Sequence, residues 1–288
     1  MWDELNKKAV ELFQSGKYDE AMEIGKKALE EAETNFGPDD PRVARSLNNL
    51  AEMYRAQVKY SDAEPLWKRA LEIREKALGR SHPDVATILN NLAGAAFEKW
   101  DYAGADRLLQ RALRIFEGSL GRDHGDLVPC LNNLAALNRL QGKYPQAKFL
   151  YERALEIQEK TLGPDHLSVG MALNDLAGLL DSQNRYADAE PLYRRALAIA
   201  EKAYGPFHTH VATSLGNLAS ILAGLGNYDE AERLLIRAQQ ILEKNFGTHP
   251  MVATGLDNLA DFYEGIGRTS EAQALRARAA ELRSGKGK

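Results

Sequence analysis

The sequence predicts an all-α protein, a solenoid of seven antiparallel helix pairs. Three observations carry this reading: an internal period, an apolar stripe at helical spacing inside each period, and breakers between the stripes. The string Leu-Asn-Asn-Leu-Ala begins at Leu47, Leu89 and Leu131, and it recurs with changes at Leu173, Leu215 and Leu256. The interval is 42 residues until the last, which is 41, and the missing residue falls in Gly247-Thr248-His249-Pro250. A degenerate first copy, Leu5-Asn6-Lys7-Lys8-Ala9, completes seven units that fill the chain. No segment alternates apolar and polar residues over strand length. Glycine-containing turns also end every stripe before three heptads accumulate, which argues against a coiled coil.

Each unit reads as an A helix followed by a B helix. In the third unit the A helix is expected from near Val85 through Leu89, Leu92, Ala93 and Ala96. A stop follows in most copies, at Gly16, Gly142, Gly226 or Gly267. The B helices then open beside Tyr18, Tyr60, Tyr102, Tyr144, Tyr186 and Tyr228. In the second unit Ala63, Leu66, Ala70 and Ile73 recur at spacings of three and four, the stripe of an amphipathic helix. Ser61 with Glu64, Asp229 with Glu232, and Ser270 with Gln273 have the spacing of capping boxes. Pro65 and Pro191 then fall in the expected first turn, where proline costs a helix little. Gly37, Gly79, Gly121, Gly163, Gly205 and Gly247 end the B helices.

Small residues carry the packing. The column Ala21, Ala63, Ala105, Ala147, Ala189, Ala231, Ala272 is alanine throughout, as is Ala28, Ala70, Ala112, Ala154, Ala196, Ala238, Ala279. Two alanines per B helix allow close approach, with Leu66, Leu108, Leu150, Leu192, Leu234 and Leu275 filling the gaps. Each pair alone leaves an apolar face wet, and stacking covers it. Lys8 and Gly25 in the first unit, and Arg276 in the last, replace the bulky or apolar residues of the inner copies. These substitutions mark positions with no neighbour, so residues 1–283 are expected to form one array, followed by a flexible basic tail over 284–288.

Composition excludes several classes. The 37 bases and 41 acids are interspersed, without a basic block for a phosphate backbone. The tyrosine register could stack single-stranded bases, but tyrosines at helix junctions are better explained by packing, and nucleic acid is not expected. No apolar run approaches the roughly 20 residues of a membrane span. The N-terminus lacks an apolar h-region, and the single cysteine, Cys130, forms no internal disulfide. A cytoplasmic protein is expected.

The signature Leu47-x-x-Leu50-Ala51-x-x-Tyr54, followed by Ala63-x-x-x-Trp67-x-x-Ala70, resembles the tetratricopeptide repeat. The 42-residue period, the run Ala63-Glu64-Pro65-Leu66-Trp67-Lys68-Arg69-Ala70-Leu71-Glu72-Ile73 and Gly163-Pro164-Asp165-His166 are similar to the repeats of kinesin light chains. That resemblance implies a right-handed superhelix whose A helices line a groove for extended peptides. It also implies that groove asparagines and basic residues hold the ligand. The matching positions are Asn48, Asn49, Asn90, Asn91, Asn132, Asn133, Asn174, Asn217 and Asn258, with Arg45, Arg55 and Arg139 as the bases. Asp175, Gly216 and Asp257 interrupt the asparagine pattern. The family's motor-binding heptad region has no counterpart here, so motor attachment is not implied.

Physical reasoning reaches the same residues. Asparagine is a mediocre helix former, yet it occurs as a pair in mid-helix in three successive units. Its amide matches both the NH and the C=O of a peptide backbone. Packed helices lie roughly 8–10 Å apart and an extended chain rises about 3.3 Å per residue, so one repeat spans roughly three ligand residues. Alternatively the amides bond one another across the stack, or one column is structural and the other recognitional. On the asparagine face the first four units carry Lys7, Arg45, Arg55 and Arg139 against Asp3, Glu52 and Glu98. The last three carry Asp175, Asp181, Asp257, Asp261 and Glu264 with no base. A ligand is thus expected to be acidic or neutral along the first half and basic along the second, unless the face is merely solvated.

Catalytic chemistry is not expected. His82, His124, His166, His208 and His249 lie one per repeat in the turns, a spacing that suits bonds to neighbouring backbone better than zinc. Cys130 reads as a small buried residue, and no phosphate-loop, dinucleotide, zincin or nucleophile-elbow motif occurs. No cofactor is expected. The leading function is a non-catalytic adaptor that binds a protein or peptide segment, as a monomer or weak homo-oligomer. The alternatives are a self-assembly module, with Trp2, Leu5, Leu12 and Phe13 as its contact, and a peptide-sensing regulator.

Overall fold

The computed structural model describes residues 1–284, and its described residues form helices joined by short turns, with no strand among them. The first repeat pairs α1 (Trp2–Gln14) with α2 (Tyr18–Phe36), and the second α3 (Pro41–Ala56) with α4 (Tyr60–Leu78). The third pairs α5 (Pro83–Glu98) with α6 (Tyr102–Leu120). In the fourth, a 3-10 turn at Gly125–Leu127 leads into α7 (Val128–Leu140), before α8 (Tyr144–Leu162). Then follow α9 (Leu167–Asp181) with α10 (Tyr186–Tyr204), α11 (Thr209–Gly224) with α12 (Tyr228–Phe246), and α13 (Pro250–Gly265) with α14 (Thr269–Arg283). The fold is an all-α solenoid. The chain divides into two compact units, Met1–Leu150 and Tyr151–Lys288, with the division inside α8. Apart from Ser284, which follows the last turn of α14, the expected tail lies outside the described residues.

From α3 onward, side-chain caps open the A helices or, in the fourth repeat, the 3-10 turn before α7, whereas α1 has none. Asp40 accepts from the Arg42 amide at 2.8 Å, and in the later repeats a histidine takes over. Nδ1 of His82, His124, His166, His208 and His249 accepts from the backbone N–H two residues on, at 3.1–3.2 Å. Each lone pair satisfies an otherwise orphaned first-turn donor. The turn histidines therefore bond neighbouring backbone, as their spacing suggested.

The B helices begin at the tyrosines, as their register suggests, and at Thr269 in the seventh repeat, so Ser61, Asp229 and Ser270 lie inside the first turn, and the flanking Lys59, Asn227 and Arg268 give no side-chain cap. The predicted capping boxes do not form. The preceding turn decides this, because its residue is left-handed in every repeat, with φ of 71–82° at Gly16, Gly142, Gly226 and Gly267. Where glycine is missing the backbone keeps the same shape, with φ of 57–61° at Val58, Trp100 and Asn184. Asparagine visits this region readily, whereas valine and tryptophan are strained there by of order 1–3 kcal/mol each. At the start of α6 a side-chain cap does occur, where Asp101 accepts from the Gly104 amide at 2.8 Å.

Packing follows the alanine columns, all of whose members are buried. In the first unit Val43, Leu47, Trp67, Ile73, Ile88 and Leu92 pack around Ala44, Ala63 and Ala70. In the second, Tyr193, Leu218, Ile221, Leu235, Leu259 and Phe262 pack around Ala189, Ala219 and Ala231. Two residues expected to mark or contact an open end instead pack internally. A Cβ on Gly25 would meet Met53 Sδ at 3.3 Å, so that glycine lets α3 settle on α2. Trp2 donates its indole N–H to Ser46 Oγ at 2.9 Å and meets the Phe36 ring edge-on. Leu12 and Phe13 pack against Ala9, Ala21, Leu50 and Met53. Three of the four residues assigned to a self-assembly contact are therefore engaged within the first unit.

A polar clasp joins successive B helices. Arg69 pairs with Glu33, Arg111 with Glu75, Arg195 with Glu159 and Arg237 with Glu201. The same guanidiniums donate to the carbonyls of Pro38, Arg80, Pro164 and Pro206 in the intervening turns. Exposed ion pairs contribute roughly 0–1 kcal/mol each, so the clasp aligns turns more than it stabilises helices. Replacing His166 by Ala removes the cap of α9 and is expected to cost about 1 kcal/mol in denaturant unfolding, while Asp at the same position retains most of the stability.

Candidate functional site

The asparagines lie on the A helices, and the first unit brings most of them together. Asn49 Nδ2 donates to Asn6 Oδ1 at 3.0 Å, Asn91 to Asn48 at 3.3 Å, and Asn133 to Asn90 at 2.9 Å. The second asparagine of each repeat thus donates to the first asparagine of the repeat before. This ladder spends one donor on Asn49, Asn91 and Asn133, and one acceptor site on Asn6, Asn48 and Asn90. An amide has two N–H groups and a two-lone-pair oxygen, so each keeps unused capacity: oxygen in one row, NH2 in the other. Asn6, which the site assignment left out, is the 2% exposed end of the ladder. Its place in the column was the signal for it.

Asn90, Asn91 and Asn133 share a hollow of about 460 Å³ with Arg55, Gly94 and Phe97. Arg55 is tied to Glu52 at 2.8 Å, and Arg45 lies 3.8 Å from Asp3 and over the Trp2 ring. Arg139 is exposed near the end of α7, and Asn132 is half-buried with its Oδ1 unpartnered.

The second unit has no such ladder among its described residues. Asn258 faces a position where Gly216 offers no amide, and a Cβ on Gly216 would meet nothing within 4 Å. Asn217 and Asn258 instead line a hollow of about 620 Å³ between α11 and α13, with Leu235, Ala238 and Leu242 of α12 at its base. Neither amide has a hydrogen-bond partner among the described residues. Asn174 shares a smaller hollow of about 170 Å³ with Asn217, and its Oδ1 is buried and unpartnered.

The acidic half of the face needs correction. Arg276 pairs with Asp261 at 2.8 Å and with Glu264, and Arg283 pairs with Asp257. Those bases come from α14, the B helix of the same repeat, which counting along A helices leaves out. Asp181 is different. It has no ion pair, and partial burial raises its carboxyl above the ordinary aspartate range. Tyr193 is pushed up to about 12 by burial, and then by the charges of Asp181 and Asp175. Cys130 is fully buried, donates to the Leu109 carbonyl at 3.3 Å, and is pushed up to about 12 by burial and the Glu117 charge, so it is a packing residue.

Repeated helical hairpins, clasped at their B helices and lined with amides on their A helices, define a helical-repeat interaction scaffold. The tetratricopeptide repeat family matches residues 5–76, 47–118, 84–160, 128–202 and 210–284, and the chain belongs to that family. Such repeats generally mediate protein–protein interaction and scaffolding as non-catalytic adaptors. Among solved structures, BtubC (BKLC) from P. vanneervenii is 23% identical with a TM-score of 0.71, covering 81% of this chain and 94% of its own. The nearly identical TPR-like repeats named for a P. anserina kinesin light chain are 25% identical with a TM-score of 0.63, covering 72% and 99%. The apo form of RapI reaches a TM-score of 0.71 at 18% identity, covering 98% and 97%, a likeness of fold alone. No curated protein matches the chain at a significant level. Among the described residues no helix is long and apolar enough to cross a membrane.

The ladder and the open amides separate experimentally. Asn133→Ala is expected to lower unfolding free energy by about 1 kcal/mol through its lost bond to Asn90, with Asn258→Ala within about 0.5 kcal/mol of wild type, both read from urea melts.

Proposed function

We propose that the protein is a non-catalytic adaptor that binds an extended peptide segment along its A-helix face. The observation that carries this reading is the pair Asn217 and Asn258, two amides with no partner among the described residues that face an open hollow. A side chain that is poor in a helix interior and unused by the fold is best explained by a bond made to something else. The hollow mixes apolar walls with these convergent polar groups, the composition of a binding cleft. In the first unit, Asn48, Asn49, Asn90, Asn91, Asn132 and Asn133 would offer their remaining donors and acceptors in the same way, with Arg45, Arg55 and Arg139 favouring an acidic or neutral stretch. Asn174 would extend the lining in the second unit. On this reading Asn48, Asn49, Asn90, Asn91 and Asn133 would serve the stack through the ladder and a ligand through what the ladder leaves unused. With one cysteine and that one buried, the fold needs no oxidising compartment, and we place the adaptor in the cytoplasm.

The test is fluorescence polarisation of a panel of labelled decapeptides against wild type and an Asn217→Ala/Asn258→Ala variant. Two lost amide contacts should weaken the peptides that bind by about tenfold or more, with an unchanged thermal midpoint. Equal binding by both proteins would remove these amides from the interface.

A further inference from the structure

The three columns that meet where an A helix faces its own B helix hold different chemistry in different repeats. In the second repeat they are Glu52, Arg55 and Trp67, and the acid and base satisfy each other. In the seventh they are Asp261, Glu264 and Arg276, and the arginine projects from α14 onto both carboxylates. In the fifth they are Gly178, Asp181 and Tyr193. The carboxylate remains, its neighbour is reduced to glycine, and the arginine is replaced by a phenol.

The result is an acidic niche that lacks its cation. Gly178 leaves its floor open, and the Tyr193 hydroxyl lies 3.6 Å from where a Cβ on that glycine would stand. Tyr193 is only 5% exposed, yet its hydroxyl has no hydrogen-bond partner. Asp181 likewise has none. The bases of the facing helix are committed elsewhere: Arg185 to Asp188, Arg194 to Glu190 and Glu230, and Arg195 to Glu159. Burial without a counter-charge is what raises the Asp181 carboxyl. A guanidinium entering here would supply the missing charge and donate to both the carboxylate and the phenolic oxygen. Repeat seven shows a guanidinium accommodated at the equivalent columns of this same chain.

We propose that the niche of Asp181, Gly178 and Tyr193 in the fifth repeat seats an arginine side chain of the bound segment. This rests on the peptide-binding reading above and deepens it. Of the acids expected to meet a basic stretch, Asp175, Asp181, Asp257, Asp261 and Glu264, the last three are already paired from α14, and the arginine is assigned to Asp181.

The niche is tested with Nα-acetyl-arginine amide, and with its citrulline analogue as the neutral isostere, by titration into protein carrying 13C-labelled tyrosine. Tyr193→Phe assigns the ring signals. The arginine probe should shift the Tyr193 ring saturably, citrulline should bind about tenfold or more weaker, and Asp181→Asn should erase the difference. The Asn217→Ala/Asn258→Ala variant should respond to the arginine probe as wild type does. Equal responses to arginine and citrulline, or an Asp181→Asn variant that still discriminates, would overturn the niche. A second arm compares decapeptides with a central Arg or citrulline. If these bind without preference, the adaptor reading stands and the niche falls. If no decapeptide binds while the arginine probe still seats at Tyr193, the niche stands and the extended-peptide reading falls.

Discussion

The constraint on which the rest depends is close approach at the alanine pairs of the B helices. Ala63 and Ala70, like their counterparts in every repeat, are buried to the last few per cent of their surface, and no larger side chain fits between backbones held that near. Such a hairpin has an apolar face that only another hairpin of the same shape covers. From that follow the fixed interval, the turns that reverse the chain within a few residues, and the caps that stand at the same point of each repeat after the first.

Polar groups then refine a frame that apolar burial has built. The clasps at Arg69, Arg111, Arg195 and Arg237 tie α4, α6, α10 and α12 to the B helix before and to the turn between, and in the first unit the asparagine ladder links successive A helices. Each such bond contributes little alone. Their regularity is what matters: a small preference repeated at equivalent places sets the spacing of the face that a ligand meets.

Much of this was legible in the sequence because small residues and breakers act locally. Gly79 or Ala70 leaves few choices for its own stretch of chain, so period, helix number, alanine packing and the backbone-bonding histidines could be read directly. The capping boxes did not form because Ser61, Asp229 and Ser270 are each the second residue of a helix that starts just after a left-handed turn residue, Val58, Gly226 or Gly267. Contacts between helices were less legible. Gly25 reads as a missing side chain until Met53 is seen above it. The acids of the seventh repeat read as unpaired because Arg276 and Arg283 reach them from the other helix of the pair. The amides showed their face but not their partners, since nothing local says whether Asn133 or Asn258 finds an acceptor in the protein.

The columns of Glu52, Gly178 and Asp261 have a consequence for how such a chain diversifies. One scaffold position occurs closed by its own ion pair, open, and occupied from within, at the same register of the repeat. A handful of nucleotide changes at three codons therefore separates one state from another, with the apolar neighbours of the third column adjusting where it is buried, as around Trp67. The repeats behave like type in a composing stick, where any letter can be exchanged and the line still holds.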